Sequence, residues 1–303
     1  MSTVEIVPAR CNVGIHHVLI GTDLSHQSQA ALRCGLDFSR LFGAEAEIVY
    51  VLPTEEYVVA GPEGMLAARD AARRDLLDLQ AWISRRCTHD DDAGYRVTML
   101  EGSAADCVLQ YARDKKADLI VLGTHGRSGL GKVLLGSVAE KVFRRARAPV
   151  LTVGPNFHRP QRINTIQEIL APCDLSRKSH PGVKFACALA RQHHANLTVL
   201  HVVDGPDEVI GLDPEVAKSR IQCELMEITG EQRHEVEAHF RVECGKVAPT
   251  VLDVASERHA DLIVLGVRPS AGVLDRFMWP IAYELVRGAA CPVLTLRGQV
   301  PAH

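Results

Sequence analysis

The chain is written twice, and that repeat limits what it can fold into more than any other feature. Val18-Leu-Ile-Gly-Thr-Asp23-Leu-Ser25 is matched by Ile169-Leu-Ala-Pro-Cys-Asp174-Leu-Ser176. Ile48-Val-Tyr-Val51 is matched by Val199-Leu-His-Val202, and Gly102 through Leu109 by Gly245 through Leu252. Ala117-Asp-Leu-Ile-Val-Leu-Gly123 returns unchanged as residues 260–266, and Ala148-Pro-Val-Leu-Thr-Val153 as Cys291-Pro-Val-Leu-Thr-Leu296. The first two anchors recur 151 residues on and the later ones 143 residues on, so the second copy is shorter by eight residues between its second and third strands. Anchors in one order with one gap mean two copies of one domain.

Within each copy, short runs rich in Val, Ile and Leu alternate with longer stretches of helical periodicity. In the first copy the strand candidates are 17–22, 46–51, 96–101, 118–123 and 149–153, and helix candidates include Gln27–Phe42 and Met65–Cys87. Apolar strands separated by helices require βαβ units and a parallel sheet covered on both faces. The expected class is α/β: two tandem doubly wound, Rossmann-like domains, each a five-stranded parallel sheet flanked by helices. The expected boundaries are 1–154 for the first domain, 155–163 for a proline-bearing linker and 164–303 for the second. Residues 53–64, with Gly61-Pro62, read as a mobile loop after the second strand.

Open parallel sheets bind ligands beyond the carboxyl ends of their strands, at the topological switch point. In the first copy those ends carry Gly21-Thr22-Asp23, Val51, Gly102 and Gly123-Thr-His125-Gly126. Nine residues after Gly126 come Gly136-Ser137 and then Val138, which opens a helical stretch. A helix start leaves N–H groups unpaired and adds the positive end of its dipole, which together make a phosphate seat. Gly136 and Ser137 also read as a plain helix cap, and Asp23 with Ser25 as a cap for the first helix, with Ser25 as the capping residue and Asp23 left to face the crevice. Two roles for His125 stay open, a ligand or catalytic group and a solvated loop residue. Arg127 and Lys132 could reach phosphates as point charges.

Gly126-Arg-Ser-Gly-Leu-Gly131-Lys132 approaches the P-loop pattern, but Val133 stands where magnesium needs Ser or Thr. Its place after a late strand is also wrong for that motif. Neither a Ser-His-Asp order nor His-Glu-x-x-His is present. His16-His17 and His193-His194 are adjacent pairs that diverge rather than converge on a metal. A net charge of −3 gives no pull toward nucleic acid or an anionic membrane. The nine cysteines include no Cys-x-x-Cys, the N-terminus has no signal-peptide pattern, and no apolar stretch has the length of a membrane span. A cytoplasmic, reducing location is the expectation.

These residues resemble the universal stress protein family in its tandem two-domain form. The resemblance rests on Gly123-x-x-Gly126-x9-Gly136-Ser137, on Thr22-Asp23-Leu-Ser25 and on Pro149-Val-Leu-Thr-Val153, and it runs along the whole chain. It implies a nucleotide-binding stress-response regulator that takes ATP with a divalent cation, Mg or Mn. By that resemblance Asp23 and the backbone of Val51 would hold adenine, and Gly21 and Gly123 would lie near the ribose. Gly126, Gly136, Ser137 and Val138 would hold the phosphates. The final strands, 149–153 and 292–296, would pair within the chain or between chains of a homodimer. Slow ATP hydrolysis, nucleotidyl transfer and a dimerisation scaffold are the alternatives; Ser-Gly-Gly-x-Asp-Ser, a signature of related enzymes, is missing. In the second copy Pro269, Trp279 and Pro280 replace Gly126, Gly136 and Ser137. Proline has no N–H to offer a phosphate. That half is expected to hold another ligand, a nucleoside alone, or nothing.

Overall fold

The computed structural model describes residues 13–26, 28–55, 61–86, 94–124, 136–157, 163–177, 179–205, 214–229, 236–267 and 278–297. The first half runs β1 (His17–Thr22), α1 (Ser28–Phe42), β2 (Glu45–Leu52), α2 (Gly61–Arg86), β3 (Tyr95–Glu101), α3 (Ala104–Asp114), β4 (Leu119–Gly123), α4 (Ser137–Arg145) and β5 (Val150–Val153). The second half repeats it as β6 (Glu168–Pro172), α5 (His180–His193), β7 (Asn196–Val203), α6 (Pro214–Thr229), β8 (Ala238–Cys244), α7 (Val247–Glu257), β9 (Leu262–Val267), α8 (Met278–Gly288) and β10 (Val293–Arg297). The expected strands fall within a residue or two of these. Of the 53–64 segment, residues 56–60 lie outside the described residues, and its end is helical: α2 begins at Gly61, with Pro62 in its first turn. The missing proline N–H costs nothing there, because first-turn N–H groups have no partner in the helix.

The strands form one sheet in the order β3-β2-β1-β4-β5-β10-β9-β6-β7-β8. Each half is parallel, with its order reversing between β1 and β4 or between β6 and β9. The halves join where β5 and β10 pair antiparallel, Leu294 opposite Leu151, Val293 opposite Thr152 and Thr295 opposite Val150. Of the two pairings expected for the final strands, the structure contains the one within the chain. Leu151 and Leu294 are the same position of the two repeats, so a pseudo-twofold axis passes between them. Both are buried, and each such burial contributes about 2 kcal/mol.

Side chains alternate across the strands and so feed two different layers. Val18 and Ile20 point into a core shared by α1, α2, α5 and α6, continuous across both halves. Leu19 points the other way, into a core under α3 and α4, while Phe143 of α4 joins the core beneath α7 and α8. Gly154, just past β5, touches the backbone of α8; a Cβ there would lie 1.9 Å from the Val286 carbonyl oxygen.

The most exact part of the repeat has a structural cause. Asp118 Oδ2 accepts the N–H groups of His16 and His17, at 2.8 and 3.0 Å. Asp261 Oδ2 accepts those of Gln167 and Glu168, at 2.7 and 3.1 Å. In each half an aspartate thus ties the start of the fourth strand to the start of the first.

Candidate functional site

The site is built from the turn after β1. Leu24 takes a left-handed φ of 65°. Thr22 Oγ1 accepts the Leu24 N–H at 3.1 Å, and Asp23 Oδ1 accepts both the Ser25 N–H at 3.1 Å and its hydroxyl at 2.6 Å. Ser25 Oγ in turn accepts the Ser28 N–H at 3.2 Å, the capping bond expected at the start of α1. Asp23 therefore holds its own turn as well as facing the crevice. The second half copies the turn: Leu175 has φ 59°, and Asp174 Oδ1 accepts from Ser176 N–H and Oγ at 3.0 and 2.7 Å.

Gly21 has a packing reason to be glycine. A Cβ there would lie 2.4 Å from Leu122 Cδ2 on β4, so a larger residue would displace the Leu122 side chain, itself a wall of the cavity described below. On the far side, α4 begins at Ser137 with Gly136 as its N-cap and no side-chain cap. The Gly136 N–H is already used: it donates to the Thr124 carbonyl at 2.6 Å. The first intrahelical bond runs from Glu140 N–H to Gly136 C=O. The donors a ligand could meet are then those of Ser137, Val138 and Ala139.

These parts surround one cavity of about 280 Å³ at the β1–β4 switch point. Gly21, Thr22, Asp23, Val51, Gly123, Gly136, Ser137 and Val138 all line it. Eight further walls were not singled out from sequence: Ser28, Val49, Tyr50, Pro53, Ala104, Val108, Leu122 and Ala139. All but Pro53 belong to strands or helices, and no motif marks them. Apolar walls with a few polar groups among them suit a molecule with a flat apolar part and an anionic part. His125, Gly126 and Arg127 lie outside the described residues.

The second half is built differently at the matching place. Its α8 begins at Met278, so Trp279 and Pro280 are inside the first turn where Gly136 and Ser137 cap and open α4. Its α5 also lies closer to the sheet, since a Cβ on Gly182 would meet the Gly266 nitrogen at 2.3 Å. The same position in the first half is Ala31.

Among the described residues no group of three or more His, Cys, Asp and Glu is arranged to hold a metal. His193 ends α5 and His194 is its left-handed cap. Seven cysteines are described, all as free thiols. Burial pushes the Cys187 thiol up to about 12, which leaves it unreactive. No described helix is long and apolar enough to cross a membrane.

The family model of the universal stress protein family matches residues 14–154 and again 165–297. A universal stress protein of Mycolicibacterium smegmatis is 23% identical over 291 residues, covering 92% of this chain and 96% of that one. One from Methanocaldococcus jannaschii is 34% identical over 136 residues, 45% of this chain and 80% of its own. The crystal structure of a universal stress protein from Archaeoglobus fulgidus superposes with a TM-score of 0.71 at 19% identity, over 95% of this chain and 98% of that one. With both halves matched and the fold shared along its length, the chain belongs to the universal stress protein family, as two tandem copies of its domain.

Proposed function

We propose that the first half binds one adenine nucleotide, ATP with Mg²⁺ or Mn²⁺, and that the chain is a cytoplasmic stress-response regulator rather than an enzyme. The observation that carries this reading is the convergence of Asp23, Val51 and the open start of α4 on one cavity. Val49, Val51, Val108 and Leu122 supply apolar surface for a base. Thr22 and Asp23 supply polar atoms, and the N–H groups of Ser137, Val138 and Ala139 suit phosphate oxygens. With no protein cage for a metal among the described residues, the cation would be held chiefly by the nucleotide's own phosphates, as Mg²⁺ commonly is. Free thiols throughout the described residues support a reducing location.

Isothermal titration of the full chain with ATP, with Mg²⁺ and with chelator, tests the proposal. The expected stoichiometry is one per chain. Ser137→Pro copies the second half's proline at a helix position that tolerates it, and should weaken binding at least tenfold. Two equal sites, or no binding by the unaltered chain, would overturn the reading. Labelled-ATP turnover at background level is expected; release that Ser137→Ala abolishes would favour an enzyme.

A further inference from the structure

We propose that Glu47, through Tyr111, is a positioning residue for the nucleotide cavity: it sets where α3 lies, and α3 is a wall of that cavity. This rests on the nucleotide reading above. Ala104, Val108, Tyr111 and Lys115 recur at helical spacing and form one stripe along α3 and its cap. Ala104 and Val108 line the cavity. One turn further on, the Tyr111 hydroxyl donates to Glu47 Oε1 at 2.5 Å. Thr98 donates to the same oxygen at 2.8 Å. His17 Nε2 stands 3.3 Å from Glu47 Oε2, and its Nδ1 lies 3.1 Å from the Lys115 carbonyl. Glu47 is only 5% exposed.

A carboxylate in that place is costly to bury unless it is fully hydrogen-bonded. Burial pushes its pKa up; the bonds from Tyr111 and Thr98, with the charges of Lys115 and His17, bring it below the usual carboxylate value. The chain itself shows that the fold does not require the cluster. In the second half the positions of Glu47, Tyr111, Thr98 and His17 are Thr198, Val254, Arg241 and Glu168. There α7 docks through buried Val251 and Val254. Apolar packing and a largely exposed ion pair from Arg241 to Glu257, at 2.9 Å, seat that helix, and such contacts tolerate sliding. A short directional bond to a buried acceptor does not, so it fixes the height of Val108 against the cavity. The half that carries the open helix start is the half that carries this bond.

The test compares Tyr111→Phe, Glu47→Gln, which keeps an acceptor for the hydroxyl, and Asn196→Ala, which removes the Asn196–Glu168 bond of the second half. Without nucleotide, amide exchange in residues 104–110 should quicken about tenfold in Tyr111→Phe and stay near wild type in the other two. ATP affinity should fall about fivefold in Tyr111→Phe and change less than twofold in Glu47→Gln. Unchanged exchange in Tyr111→Phe overturns the positioning claim whatever ATP does. Faster exchange with unchanged affinity overturns its link to the cavity. If the unaltered chain binds no ATP, it is the nucleotide reading that fails, and the exchange result still decides whether Glu47 positions α3.

Discussion

Phe42 and His193 occupy the same position of the two repeats and meet edge-on, with ring centroids 5.2 Å apart and planes at 87°. They sit at the ends of α1 and α5, over the pseudo-twofold axis that passes between Leu151 and Leu294 in the sheet below. Symmetry brings the two positions together, and the sequence has made one of them titratable. Burial, and secondarily the neighbouring His194, lowers the His193 pKa from its ordinary value of 6.5. The neutral ring is thus the folded form, and the unfolded chain takes up the proton first as pH falls. The stability that this residue contributes is complete above about pH 6.5 and is lost as pH drops through the lowered value. Thermal melts at pH 7.5 and 5.5 should show a larger fall for the unaltered chain than for His193→Phe. Equal falls would remove His193 from the acid response.

Asp23 and Asp174 make the same turn, so they separate structure from binding. Replacing either by Ala removes two hydrogen bonds to a serine and should cost about 1 kcal/mol of stability by urea unfolding. ATP affinity should fall at least tenfold in Asp23→Ala and stay unchanged in Asp174→Ala. Equal effects on affinity would mean that both halves share the nucleotide.

Asp118 and Asp261 each accept two strand N–H groups, so Asp118→Ala and Asp261→Ala should each cost about 1–3 kcal/mol. Asn retains one acceptor oxygen and should recover most of that loss. A cost below about 0.5 kcal/mol for both alanine variants would show that water replaces the bonds.

Gly154→Ala should destabilise by about 2–4 kcal/mol, because its methyl would overlap the Val286 carbonyl and the whole β5–α8 contact would have to shift. Scanning calorimetry checks this; an unchanged melting temperature would mean that α8 moves freely.

Most of the fold was legible because its signals are local. Apolar runs such as Leu119–Leu122 read directly as strands, and repetition fixed which runs correspond. Gly21, Thr22, Asp23, Val51 and Gly123 could be brought to one crevice from sequence, and they line one cavity, because strand ends at a switch point are readable as positions. What stayed hidden depends on contacts between distant segments. Nothing local says that the Gly136 N–H is taken by Thr124, which leaves the next three donors to meet a ligand. Glu47 is a charged residue at the start of an apolar run and reads as a solvated strand end; only the meeting of β1, β2, β3 and α3 makes it a buried acceptor. Tyr50 and Val108 are ordinary core residues in sequence and cavity walls in space.

The antiparallel join of β5 to β10 puts both domains on one polypeptide, and that changes what mutation can do. In an assembly of two identical chains, any replacement in the binding crevice appears in both copies at once. Here a single codon alters a single crevice. A tryptophan and a proline could enter the start of α8 while the glycine and serine at the start of α4 stayed as they were. The join also does not come apart on dilution, because the two edges share one molecule at a fixed effective concentration. One half can thus go on supplying the sheet edge its neighbour needs while its own crevice drifts toward another use.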